Sequence, residues 1–171
     1  MKQILILVFA IIGMACKAQD KVVFHNGSTV EGKVTEVSEQ YVKFVYKGEE
    51  ANHMIGTAAI SDIEFASGRV QHISDKIIVE YPEDWENVVV VYDKNQVAGL
   101  KSLGKIEKHS NGEWSFHTST GHFMKKAIKK AQKEAAKKAA CYILIVNQSN
   151  TGKSGYGGSP DSSIICELYT Y

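Results

Sequence analysis

Apolar residues change period along this chain, and the changes divide it into three stretches. Residues 4–15 form an unbroken run of apolar or small side chains behind Lys2, ended by the polar Lys17, Gln19 and Asp20. From residue 21 to 73 the spacing is that of strands. In the segment 41–47, Val42, Phe44 and Tyr46 share one face, and Tyr41, Lys43 and Lys47 share the other. Segments 21–25, 29–37, 41–47, 60–65 and 69–73 are predicted strands, and the polar stretch 48–57 is a predicted loop. Asn26-Gly27 suits a tight hairpin turn with positive φ. Phe24 to Val30 is echoed by Phe65 to Val70, each an aromatic residue, a glycine turn and a valine, which predicts two hairpins. Gly32, between Val30 and Val34, marks a sharp bend inside a strand. Five such short strands predict a small closed barrel.

A polar seam at 74–76 separates this region from a second one. There, 77–81, the valine-rich 87–92 and 102–109 are predicted strands, with 87–92 buried on both faces. Asn111-Gly112 signals a further turn before a strand at 114–117. From 122 to 140 the period becomes helical: Phe123, Met124, Ala127, Ile128, Ala131, Ala135, Ala136, Ala139 and Ala140 make one stripe, and lysines fill the rest. Segments 141–146 and 164–171 return to strand, joined by a Gly- and Ser-rich hairpin loop over 147–163. The whole predicts an α+β fold: a small β-barrel over 20–73, then an antiparallel sheet with one long Lys/Ala-rich helix over 77–171.

The first stretch has the layout of a secretory signal peptide over residues 1–18, too short to span a membrane at ~20 residues. Cleavage after Ala18 puts Cys16 and Ala18 at the two small-residue positions of an ordinary signal peptidase site. The alternative is lipidation of Cys16, preceded by Gly13, Met14 and Ala15, although Gly13 stands where a lipobox carries a branched aliphatic residue. The expected location is the periplasm or exterior, with membrane association only through an acylated Cys16.

The full chain of 171 residues carries a formal net charge of +1 and is 44% apolar, an ordinary globular composition. Loss of residues 1–18 removes Lys2 and Lys17 and leaves 18 basic against 19 acidic residues. No global charge points to nucleic acid.

Residues Gln19 to Val23, with Asn26-Gly27 and Val30-Glu31-Gly32-Lys33-Val34, resemble the opening of small exported bacterial domains with an SH3-like or Sm-like barrel. Gly99-Leu100, Leu103-Gly104-Lys105-Ile106 and the Lys/Ala helix running into Ala140-Cys141-Tyr142-Ile143-Leu144-Ile145 resemble the YbjQ-like domains. Those are related in fold to the outer-membrane stress-sensor lipoprotein of the Rcs phosphorelay. The two resemblances imply an envelope setting and no reaction. Helices of the second kind usually end in a glycine; Ala139 stands here, so no left-handed cap is expected.

Candidate chemistry is sparse. Thr151-Gly152-Lys153-Ser154 lacks the earlier glycine of a phosphate loop, having Asn147 there, and Pro160 follows instead of a helix. His117 and His122 are five apart with no further ligand beside them, so neither metal nor cofactor is expected. No serine, histidine and carboxylate can be singled out as a triad, and Glu49-Glu50 and Glu83-Asp84 are adjacent pairs that point apart. Asp84 and Trp85 beside Pro82 suit either a carbohydrate contact or a packed tryptophan at the seam. Cys141 and Cys166 lie on the two final strands and are either a disulfide or two buried thiols.

The strongest feature is charge. Lys125, Lys126, Lys129, Lys130, Lys133, Lys137 and Lys138 face Glu134 alone, a local +6. They form either a solvated face or a docking surface for anionic material, whether lipid headgroups, lipopolysaccharide phosphates or another anionic envelope polymer, or an acidic partner, with the acidic stretch 80–86 as the alternative, intramolecular partner. The expected function is a non-enzymatic binding, structural or sensing module of the cell envelope. The alternatives are a lipid-anchored stress sensor and a periplasmic enzyme acting on envelope polymers.

Overall fold

Val42 and Phe44 are fully buried while Tyr41 and Lys43 keep partial access to solvent, so the alternation of 41–47 does set one face of a sheet inward. In the computed structural model, which describes residues 19–111, 120–151 and 161–171, that strand is one of ten. β1 (Asp20–Phe24), β2 (Thr29–Val37), β3 (Tyr41–Tyr46), β4 (His53–Gly56), β5 (Ile60–Glu64) and β6 (Val70–His72) form an antiparallel sheet in the order β4-β3-β2-β1-β5-β6. β1 is flanked by both β2 and β5, so the meander returns to its first strand after a single 3-10 turn, Thr57–Ala59. Seven residues fill its core: Val22, Val42, Phe44, Ile55, Ala59, Ile60 and Ile63.

β4 was not predicted. It lies within the stretch read as a loop, because only Met54 and Ile55 carry apolar pattern there and Met54 points outward. Gly32, read from the sequence as a bend, stands at a close approach: a Cβ on it would sit 2.1 Å from the Val45 carbonyl and 2.6 Å from the Phe44 ring. The missing side chain is the space that the Phe44 ring occupies. The two echoed hairpins adopt the same turn. Phe24 N–H donates to Ser28 O and Gly27 N–H to Phe24 O; Phe65 N–H donates to Arg69 O and Gly68 N–H to Phe65 O. Only the glycines take positive φ, 85° at Gly27 and 84° at Gly68, so each is a type I turn with a glycine bulge rather than the two-residue turn expected of Asn26-Gly27.

The second sheet contains β7 (Val89–Val91), β8 (Lys101–Asn111), β9 (Tyr142–Thr151) and β10 (Asp161–Thr170), ordered β7-β9-β10-β8. One helix, α1 (Thr120–Lys137), packs on it. Four expectations change here. The sheet is mixed, not antiparallel, because β7 runs parallel to β9. Residues 77–81 form no strand, although Val79 is buried in the core. β7 is an edge strand with Val89 partly exposed and Val91 buried, not a strand covered on both faces. β9 and β10 extend into the predicted loop as far as Thr151 and from Asp161. The turn at Asn111-Gly112 and the strand at 114–117 fall outside the described residues, as do residues 1–18 and the middle of the final hairpin loop.

α1 buries Ala127, Ala131, Ala135 and Ala136 against Ile143, Ile164, Cys166 and Leu168, and its Phe123 is buried as well. Alanine is the strongest helix former and lets the helix axis lie close to the sheet. The helix also ends otherwise than expected. Ala139 takes φ 51°. Ala140 N–H donates to Ala135 O and Ala139 N–H to Ala136 O, each at 3.0 Å, the bond pair of a left-handed Schellman cap. Burial of Ala140 and the bond from Cys141 N–H to Tyr169 O (2.9 Å) hold the chain in this turn. An alanine there costs about 1 kcal/mol relative to glycine.

The two regions touch at more than the polar seam. Gly56 N–H donates to Ala98 O at 2.8 Å, and a Cβ on Gly56 would lie 2.2 Å from Gln96 O. Leu100 packs against both cores.

Candidate functional site

The periodicity that buries the alanines of α1 leaves its lysines, with Lys138 just past its end, on the other side in two rows of i, i+4 spacing. Lys125, Lys129, Lys133 and Lys137 form one row; Lys126, Lys130, Glu134 and Lys138 form the other, and all seven lysines are exposed. Neighbouring elements hold three of the seven, and Glu134 of the same helix pairs with a fourth. The Lys129 and Lys133 ammonium groups lie 4.4 and 5.4 Å from the centre of the Trp85 ring, within cation–π range. Lys130 Nζ donates to His109 O at 2.8 Å. Glu134 lies 3.7 Å from Lys108 and 3.8 Å from Lys137. Lys125, Lys126 and Lys138 make no ion pair among the described residues.

Trp85 sits on the 3-10 turn Pro82–Asn87, which packs along α1. The acidic stretch 80–86 is therefore adjacent to the helix, but its indole, not its carboxylates, meets the lysines. Asp84 is spent locally, its carboxylate accepting the Glu80 and Tyr81 N–H groups at 3.0 Å each. Trp85 is packed as one expectation held, yet against α1 rather than at the seam. Tyr81 beside it is 64% exposed.

Cys141 and Cys166 are both free and buried, so the bridge expected as one alternative is not formed. The reason is register. Cys166 lies opposite Ile145, whereas Cys141, four residues before Ile145 and just ahead of β9, bonds through its N–H to Tyr169 O. Four residues of strand separate the two by ~13 Å, far beyond the ~7 Å limit for a disulfide. The Cys141 Sγ donates to Ile77 O at 3.5 Å, and burial pushes its thiol up. Burial alone raises Cys166 to about 11. Neither is activated as a nucleophile. Cys16 lies outside the described residues.

A polar cluster that sequence reasoning missed lies where the two regions join. His25 Nε2 and Ser74 Oγ are 2.9 Å apart, and Ser74 Oγ also lies 2.8 Å from Ile60 O and 3.0 Å from Thr57 O. The hydroxyl donates to those carbonyls, so the imidazole Nε2–H donates to the hydroxyl, which is the reverse of nucleophile activation. The His25 ring meets Tyr171 edge-on at 5.0 Å, and Tyr171 Oη accepts the Ile77 N–H at 2.9 Å. Desolvation, then Lys76, lowers the His25 pKa below 6.5. His72 is the opposite case: its nitrogens bond Asp62 (3.0 Å) and Asp75 (3.2 Å), and the Asp62 bond raises its pKa. His25 and Tyr171 carried no signal in the sequence, being 146 residues apart and each unremarkable alone.

Among the described residues no group of three His, Cys, Asp or Glu side chains is arranged to hold a metal ion. His122 is exposed on α1 and lies edge-on to Phe123 at 5.7 Å; His117 is outside the described residues. Glu49 pairs with His53 at 3.0 Å rather than with Glu50. No described helix is long and apolar enough to cross a membrane. No protein-family model, curated protein or solved structure matches this chain.

Proposed function

We propose that this chain is an exported cell-envelope protein acting as a non-enzymatic binding, structural or sensing module. In this reading an SH3-like small barrel is followed by a YbjQ-like domain, and function resides in surfaces rather than in bond-breaking chemistry. The return of β5 to β1 after one 3-10 turn supports the barrel assignment. One helix laid on a sheet that ends in a long hairpin supports the second. The apolar run over 4–15 with its polar break supports export.

The observation that carries the reading is the lysine face of α1. Seven exposed lysines have only Glu134 among them, and Lys137 alone of the seven makes an ion pair among the described residues. A field of that kind attracts anions and weakens with salt. The test is retention of the processed chain on a soluble polyanion, heparin or polyphosphate, as ionic strength rises. Salt-sensitive retention is expected. Retention that is absent, or indifferent to salt between low and physiological ionic strength, would overturn the proposal.

A further inference from the structure

We infer that the partner of the α1 lysine face is an anionic lipid bilayer, which α1 meets lying parallel to the membrane plane; this rests on the anion-binding reading just given and names its ligand. Four observations converge. From Lys125 to Lys138 the charged face extends ~20 Å at 1.5 Å per residue, and it is two rows wide. A single anionic polymer strand needs one row, whereas a plane of headgroups engages both. The opposite side of the same helix is fixed to the sheet through fully buried Ala127, Ala131 and Ala135, so the face is presented as a rigid unit.

The third observation is aromatic. Trp85, half-buried against the second core, lies against the lysine row, and Tyr81 beside it is 64% exposed without a place in either core. Such amphipathic rings partition to the level of the headgroups, which a soluble polyanion does not reward. The fourth is that Asp84 is consumed in bonding the Glu80 and Tyr81 N–H groups, so the turn that carries both rings is held in place. Glu83 and Glu86 sit on this turn too, so the bilayer must be engaged by the lysines and rings together rather than by net charge.

The geometry is testable with lysines whose loss leaves the fold intact. The exported, processed chain is purified in a Cys16→Ser background, so that no acyl chain anchors it. Cosedimentation is measured with phosphatidylcholine vesicles, with and without one third phosphatidylglycerol. Binding to the anionic vesicles alone is expected, declining as salt rises. Changing Lys125, Lys126 and Lys138 together to Gln should weaken it by at least about tenfold, since each lysine near such a surface contributes roughly a fivefold factor. The same charge removed elsewhere, by Lys33→Gln, Lys47→Gln and Lys94→Gln, should change it by less than about twofold. Tyr81→Ser should weaken vesicle binding and leave heparin retention unchanged.

Heparin retention without vesicle binding would overturn the bilayer assignment and leave the anion-binding reading standing. Loss of both would overturn both. An equal loss from the two triple variants would reduce the effect to net charge and overturn the assignment as well.

Discussion

The two cores of this protein solve the same packing problem with opposite residues. In the first sheet a large aromatic, Phe44, fills a space created by the absence of a side chain at Gly32. In the second region no single residue dominates. Five alanines, from Ala127 to Ala140, form a shallow stripe that brings a whole helix down onto Ile143, Ile164 and Leu168. The first core concentrates its burial in a few large contacts, and the second distributes it along a backbone-to-sheet approach. The two therefore fail in different ways: the first by losing volume, the second by gaining it.

The largest expected effect is Phe44→Ala, a loss of about 3–5 kcal/mol, because the cavity cannot collapse onto a glycine. Urea unfolding followed by circular dichroism would measure it, and a loss under about 1 kcal/mol would show that the core does not hinge on this ring. Ala131→Leu attacks the second core from the other side and should cost about 1–3 kcal/mol by overpacking, as should Gly32→Ala in the first. If Ala131→Leu proved neutral, the helix would sit higher on the sheet than the structure places it. Ala139→Gly reverses the sign: relief of the left-handed alanine should stabilise the protein by about 1 kcal/mol, seen as a higher urea midpoint. An unchanged or lower midpoint would mean the cap carries no strain.

The smallest effect is the response to pH, and it separates two histidines of the first region. His25 has its pKa lowered in the folded state, chiefly by desolvation. Below 6.5 the unfolded chain binds the proton more readily, so His25 makes stability fall as pH drops through that value towards the folded pKa. His72 has its pKa raised by Asp62, so its contribution is complete below 6.5 and is lost as pH rises through the folded pKa. His25→Gln should remove the first dependence and His72→Gln the second. Identical pH profiles for both variants would refute the assignment.

Much of the secondary structure was legible because period reports burial directly. The alternation around Phe44, the helical stripe and the hairpin echo each needed only neighbours in sequence. What failed were decisions made by distant partners. β4 pairs because β3 offers it an edge, not because of its own pattern. β7 runs parallel to β9 across about fifty residues of chain, which turns an expected antiparallel sheet into a mixed one.

The candidate surface divides in the same way. That seven lysines would share one face of α1 follows from periodicity alone, since a period of 3.6 sorts residues whatever the helix packs against. Which of them are engaged does not follow, because Trp85, His109 and Lys108 approach from other elements. The separation of Cys141 from Cys166 rests on strand register, a quantity that a repeat of two leaves open. Local order was thus written in the chain, while pairing, register and the left-handed turn at Ala139 were settled where remote segments met, because their free energy resides in contacts that no short window of sequence contains.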